Sequence, residues 1–207
     1  MSRKLLPLNP RQMVGLADGN SFYCSCEESM QPWLHGKPII VASNNDGCAI
    51  AMNRPAKRYV RMGDALFQIA DTIREHGIVT FSSNYELYGD MSNRMHSIWA
   101  SFVPNLEIYS IDEAFLDMTG TEALFGPPLT AAHTIRRRVR RELGFTVNVG
   151  IAPNRLLAKM ASDFEKPDKV HTLYRYEVEK KMWPLPVGDL FGVGPSAAKR
   201  LNGCGVY

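Results

Sequence analysis

A chain of 207 residues, 45% hydrophobic and 22% charged, has the composition of an ordinary globular protein and enough length to bury a core in no more than about two compact units. Its net charge of +3 is a mild basic bias that permits a nucleic-acid partner without arguing for one. Four cysteines without a C-x-x-C pair and five histidines without an i, i+4 pair signal neither a zinc site nor a disulfide framework, and no apolar run nears the roughly 20 residues of a membrane span.

Reduced thiols and a cytoplasmic protein are therefore expected. Residues 1–12 lack the apolar core of a signal peptide and read as an N-terminal arm, or as an upstream extension of a shorter natural chain.

Residues 13–18 are a buried strand that closes on Asp18, and 22–30 a short helix. A turn at 33–37 leads to a strand at 38–43; Asn44-Asn45-Asp46-Gly47 is a strong turn signal, and 48–52 is the strand that leaves it. Residues 55–60 and 65–75 are predicted helical, the first opening on a proline suited to a first turn, and 78–82 are extended. In the longest helix Tyr88, Met91, Met95, Ile98, Trp99 and Phe102 recur along one face until Pro104 stops it. Residues 106–111 and 113–118 form a hairpin that carries Asp112 and Glu113 at its turn. Gly126-Pro127-Pro128 breaks the chain before an amphipathic helix at 129–143 with Ala132, Ile135, Val139 and Leu143 inward; Gly144 caps it, and 145–151 is the next strand. A helix at 154–164, a turn at Lys166-Pro167-Asp168, an edge strand at 170–173 and a linker at Trp183-Pro184-Leu185-Pro186 follow.

Without residues 22–80 the order is strand, helix, strand, strand, helix, strand, the split βαβ pattern of a ferredoxin-like sheet. The expected fold is α+β, and its third strand lies antiparallel beside its first. That topology brings Asp18 next to the turn carrying Asp112 and Glu113. Adjacent carboxylates in an apolar hairpin are costly unless cations neutralise them, so a basic partner or metal ions are expected there. Together the three make an all-oxygen set suited to paired Mg²⁺, the arrangement that clamps attacking and leaving oxygens in phosphoryl transfer.

Asp18-Gly19-Asn20-Ser21-Phe22-Tyr23, Ser110-Ile111-Asp112-Glu113-Ala114-Phe115, and Val149-Gly150-Ile151-Ala152-Pro153-Asn154 with Leu157-Ala158-Lys159 occur in order. As a set they resemble the Y-family translesion DNA polymerases. Ser43-Asn44-Asn45-Asp46-Gly47-Cys48 and Phe81-Ser82-Ser83-Asn84-Tyr85-Glu86-Leu87-Tyr88 resemble the UmuC-like, SOS-mutagenesis branch. The resemblance implies a palm at 13–21 and 81–176, inserted fingers at 22–80, and a partial helix-hairpin-helix thumb at 177–207, with the little finger absent. It implies that Asp18, Asp112 and Glu113 bind two Mg²⁺ ions with help from the Gly19 carbonyl. Phe22 and Tyr23 would contact the nucleotide, Tyr23 as a steric gate beneath the sugar. Lys57, Lys159 and Arg54 would bind the triphosphate. The run Val60-Arg61-Met62-Gly63 is one residue shorter than the family's usual pattern, a change that bears on where Lys57 points. Gly192, Val193 and Gly194 resemble a phosphate-binding glycine hairpin and Lys199 its basic helix. Primer-template DNA, deoxynucleoside triphosphates and a UmuD-like protein are the implied partners.

Plainer readings stand beside these. Tyr23 alone is a packed aromatic, Lys159 a snorkelling surface lysine, and Asp117 and Asp163 structural. The run Arg136-Arg137-Arg138-Val139-Arg140-Arg141 reads as a solvated or partner-facing surface, because helices of such a sheet cover the face away from substrate. Met52, Met62, Met91, Met95 and Met118 read as packing residues, and Cys24 and Cys26 as small buried ones. Two rival functions remain open: an inactive truncated chain that only binds DNA or a partner, and a nucleotidyl cyclase, which uses a similar palm but needs neither Tyr23 nor the glycine hairpin.

Overall fold

A computed structural model describes residues 12–207; the expected N-terminal arm lies, except for Gln12, outside the described residues. The first strand, β1 (Val14–Gly19), is buried along its whole length. After α1 (Phe22–Met30) come β2 (Ile39–Ala42), β3 (Ala49–Met52), α2 (Ala70–Glu75) and β4 (Val79–Ser82). Next are α3 (Tyr85–Ala100), β5 (Leu106–Ile108), β6 (Glu113–Asp117), α4 (Glu122–Phe125) and α5 (Pro128–Leu143). The chain continues through β7 (Val147–Ala152), α6 (Arg155–Ser162), β8 (Val170–Thr172), α7 (Val178–Lys181) and α8 (Pro195–Gly203).

The larger sheet has the order β5-β6-β1-β7-β8, with β1 antiparallel to both β6 and β7, so the ferredoxin-like topology read from the element order is the one observed. Strand β8 adds to its edge parallel to β7. Alternation along β1 decides what covers each face. Ala17, with Ala114 and Val149 of the flanking strands, packs under α3 and α5, whereas Val14, Leu16 and Phe115 pack under α6. Residues Asp18 and Glu113 keep that second parity, since Asp18 pairs with Glu113 and Leu16 with Phe115. Both carboxylates therefore belong to the α6 side.

The helices form for identifiable reasons. Asn84 caps α3 by accepting from the Leu87 N–H at 3.1 Å, and the Tyr88, Met91, Met95, Ile98 and Trp99 stripe is buried, as its spacing predicts. Each such side chain removed from water contributes about 1.5–3 kcal/mol. Helix α5 ends at Gly144, whose φ of 80° is the left-handed conformation glycine adopts most easily. Helix α6 lies unusually close to β7: a Cβ on Gly150 would sit 2.2 Å from the Ala158 carbonyl oxygen and 2.3 Å from the Ser162 nitrogen.

The second sheet, β3-β2-β4, pairs β2 antiparallel with β3 and parallel with β4. Because β4 runs to Ser82, this sheet extends past the boundary expected at residue 80. The helices expected at 55–60 and 65–75 are shorter: a 3-10 turn at Ala56–Arg58, and α2 beginning at Ala70. Val60, Leu66, Ile69 and Ile73 pack instead into a separate small core with Ile40 and Met52, and the chain bends to supply them. The strand expected at 106–111 stops at Ile108, where the hairpin turn begins. Short helices α4 and α7 were not expected from periodicity, being too brief to show one. All four cysteines are free thiols, with Cys24 and Cys26 buried. Among the described residues no helix is long and apolar enough to cross a membrane.

Candidate active site

Asp18, next to last in β1, lies directly opposite Glu113, the first residue of β6, and the Gly19 N–H donates to the Asp112 carbonyl at 2.8 Å. Three carboxylates thus converge at one end of the larger sheet. Glycine at position 19 suits the approach, since a Cβ there would meet Asp112 Cβ at 3.4 Å and the Phe22 ring at 3.2 Å. The Ser110 hydroxyl donates to Asp112 Oδ1 at 2.8 Å. Burial raises the Asp112 carboxyl above the usual aspartate range, opposed by the Ser110 hydrogen bond and reinforced by the charge of Asp18. Burial also raises Glu113, and its closeness to Asp18 adds to this.

Two ammonium groups answer this negative charge. Lys159, on the inner face of α6, bonds Glu113 Oε1 and approaches Asp18 Oδ2 at 3.4 Å and Asp163 Oδ2 at 3.6 Å. Lys166 lies 2.8 Å from both Asp18 Oδ2 and Asp163 Oδ1. Burial disfavours the Lys159 ammonium, but the Glu113 hydrogen bond and the Asp18 charge outweigh it and raise its pKa. Lys166 is raised for the same reason, with Asp18 the leading opponent of burial. With the side chains so arranged, no group of three or more His, Cys, Asp or Glu among the described residues closes on one metal position. The donor chemistry nevertheless fits a hard cation: every donor is oxygen, and the charge on Asp18 and Glu113 already draws cationic nitrogen to the spot.

A cavity of about 630 Å³ opens beside the carboxylates, lined by Asp18, Gly19, Asp112 and Glu113 on one side and by Arg54, Lys57 and Met62 of the smaller sheet's loops on the other. The shortened loop thus leaves Lys57 facing the cavity. Lys159 is not in its wall; Lys166 is. By sequence Lys166 reads only as part of a turn; its local signal is the i, i+3 spacing from Asp163, which itself reads as structural.

Tyr23 lines the same cavity, its ring stacked on Tyr88 at 4.4 Å and 15° and meeting Tyr85 edge-on at 6.0 Å. Tyr88 is buried and donates its hydroxyl to Glu27 Oε1 at 2.8 Å. The Tyr23 ring thus has a rigid backing. Burial, followed by Tyr85 and Asp112, raises its phenol pKa. Phe22 borders the cavity but is only 3% exposed and packs edge-on against Phe145 at 5.7 Å. Ser21 enters α1 in the left-handed region at φ 47°, a strained conformation for a residue with a Cβ, where the chain turns to aim Tyr23 at the cavity.

The glycine hairpin lies apart from the cavity. Val193 N–H donates to the Leu190 carbonyl at 2.9 Å, Gly192 takes φ 89°, and Gly194 precedes α8, which carries exposed Lys199. The hairpin is moored to α6 by the Phe191 N–H, 3.2 Å from Met160 Sδ. The five arginines of the run on α5 share two carboxylates. Arg136 and Arg140 pair with Asp168, and Arg138 and Arg141 with Glu142, while Arg137 has a bond to the Thr134 hydroxyl.

The family profile described as impB/mucB/samB matches residues 17–163, and one described as IMS family HHH motif matches 177–206. The chain is 42% identical over 206 residues to Protein UmuC of Salmonella typhimurium strain LT2, an alignment that covers 94% of this chain and 47% of that protein. It is 39% identical over 201 residues to DNA polymerase IV of Moorella thermoacetica, covering 93% and 49%. Among solved structures, the insertion ternary complex of Dbh DNA polymerase superposes with a TM-score of 0.85 at 28% identity, covering 94% of this chain and 58% of that one. DinB from Sulfolobus solfataricus gives 0.83 at 28%, covering 94% and 57%. The chain spans about half the length of the curated relatives it matches. On these matches the chain belongs to the impB/mucB/samB family of UmuC-like, Y-family DNA polymerases.

Proposed function

We propose that this chain is the catalytic region of a template-directed, error-tolerant DNA polymerase acting in translesion synthesis. The observation that carries this reading is the cross-strand pairing of Asp18 with Glu113, beside Asp112, at the wall of a cavity shared with Tyr23, Arg54 and Lys57. In this reading the larger sheet is the palm, the smaller sheet with its loops the fingers, and the segment from 177 onward part of a thumb. Cytoplasmic DNA is the setting it requires.

Asp18, Asp112 and Glu113, with the Gly19 carbonyl, would hold two Mg²⁺ ions. Bound there, such ions would lower the pKa of a primer 3′-hydroxyl, whose oxygen bonds the α-phosphorus as the bond to pyrophosphate breaks, and would offset charge on the triphosphate. The protein's own contribution is placement. Arg54, Lys57 and Lys166 put positive charge on the cavity wall where a triphosphate would lie, and Lys159 offsets the charge of Asp18 and Glu113. Tyr23, backed by Tyr88, presents a ring that leaves no room for a 2′-hydroxyl. The hairpin amides of Gly192, Val193 and Gly194, with Lys199, would grip a DNA phosphate. A UmuD-like protein is the partner suggested by the similarity to Protein UmuC.

The test is primer extension by this chain with Mg²⁺ and all four deoxynucleotides. Template-directed addition that is lost in Asp112→Asn supports the reading. DNA binding without extension, under conditions where a full-length relative extends the same primer, favours a chain that only binds DNA or a partner.

A further inference from the structure

The carboxylate assignment leaves open what aims Asp112, which lies in a turn beyond the regular strands. Both peptide units flanking its Cα are held by other elements. On the far side the Asp112 carbonyl accepts from the Gly19 N–H of β1 at 2.8 Å. On the near side the Ile111 carbonyl accepts from the Ser92 hydroxyl of α3 at 2.5 Å. Fixing both peptide planes fixes the backbone dihedrals between them, and these set the direction of the side chain. Ser110 then holds Oδ1.

Ser92 is itself steered. It is 6% exposed, and one helical turn later His96 Nδ1 lies 3.3 Å from its oxygen. A hydroxyl has one proton, and Ser92 gives it to Ile111, so the histidine must donate from Nδ1–H. Burial lowers the proton affinity of His96, which favours the neutral ring. Its Nε2 has no hydrogen-bond partner among the described residues, where the ring packs edge-on to Trp99 at 5.1 Å. Two polar side chains in the apolar stripe of α3 are costly unless they are used.

We propose that Ser92 and His96 form a buried strut that sets the position of Asp112 for metal binding. Ser92 is a positioning residue and touches neither metal nor substrate. The inference rests on the reading of Asp18, Asp112 and Glu113 as metal carboxylates. Removing a hydrogen-bond partner that orients a metal ligand typically weakens metal affinity by about 10–100-fold.

The experiment is Mn²⁺ titration of the whole chain, without DNA or nucleotide, followed by electron paramagnetic resonance, with circular dichroism melting in parallel. Ser92→Ala should stay folded and bind Mn²⁺ at least about tenfold more weakly, and Ser92→Thr, which keeps the hydroxyl, should recover most of the affinity. Wild-type affinity in a folded Ser92→Ala, whatever its melting temperature, overturns the proposal and leaves Ser92 a packing residue. Should Ser92→Ala not fold, His96→Leu and His96→Asn carry the test. Only leucine lacks an N–H donor and should lose affinity, and equal affinities overturn the strut. Asp112→Asn serves as the control: if it binds Mn²⁺ as wild type does, the metal-carboxylate reading fails, a result distinct from failure of the strut.

Discussion

Asp18 and Glu113 stand directly opposite one another on antiparallel strands, and the Lys159 ammonium bridges them. Like charges paired across a sheet are destabilising. Their persistence here depends on cationic charge brought from α6, and with Asp112 alongside they make the carboxylate cluster on which the proposed chemistry rests.

Asp112→Asn should reduce nucleotide addition by more than about a hundredfold, the upper end of what loss of a ligand's supporting partner causes. Stability should move the other way. The folded-state pKa of Asp112 is raised by burial, so its ionised form disfavours folding once pH exceeds the unfolded value. The variant should therefore match wild type below the unfolded value, gain its stability advantage as pH rises from there through the raised value, and keep it unchanged above. Urea unfolding at pH 3 and pH 7 measures this; a variant less stable at pH 7 contradicts the sign.

Tyr23→Ala should raise ribonucleotide incorporation relative to deoxyribonucleotide by at least about tenfold, because removing a packed ring relieves an overlap of roughly 1–3 kcal/mol. Single-nucleotide insertion kinetics with the two sugars give the ratio. An equal loss of both activities with a lowered melting temperature would make Tyr23 a core aromatic stacked on Tyr88 and nothing more.

Lys166→Met should leave the fold intact, since the side chain is partly exposed, and should raise the KM for nucleotide by about tenfold through loss of one charge-assisted hydrogen bond. Steady-state kinetics separate this from a fall in kcat. An unchanged KM would confine Lys166 to its pairing with Asp18 and Asp163.

Gly150→Ala should destabilise the protein by at least about 1–3 kcal/mol, because a Cβ at 2.2 Å from the Ala158 carbonyl forces α6 off β7. Lys159 would move with the helix. Chemical denaturation measures the loss, and near-wild-type stability would show that the contact is slack.

Primer-template affinity should fall with salt, and Lys199→Ala should reduce the slope of log K against log salt by about one. Arg140→Ala, whose guanidinium already pairs with Asp168, should leave the slope unchanged. Fluorescence anisotropy across a salt series distinguishes the two; the reverse pattern would move the DNA contact to α5.

Much of this protein is legible in its residues because the signals are local or periodic. The buried stripe of α3, the Gly144 cap and the apolar run ending at Asp18 follow from 3.6-residue or two-residue repeats and from one glycine's conformational freedom. The element order then restricts the sheet to a topology that must join Asp18 to Asp112 and Glu113. Residues 55–75 misled because their apolar positions serve a separate small core, so that Val60 and Leu66 are placed by where β2, β3 and α2 meet and not by a helical face.

Residue order and periodicity suffice for the fold class, for the approach of Asp18 to Asp112 and Glu113, and for the spacing of five between Asp18 and Tyr23. Which cation meets which oxygen follows from the packing of the elements. Lys159 turns inward to Glu113 because α6 rests on the bare backbone of Gly150, and Lys166 takes the place on the cavity wall. Ser92 meets Ile111, and the Tyr23 ring meets Tyr88, only after α3 has packed beneath the sheet. Charge and periodicity are properties of residues and near neighbours, whereas the meeting of side chains distant in sequence depends on strand register and the depth at which helices pack.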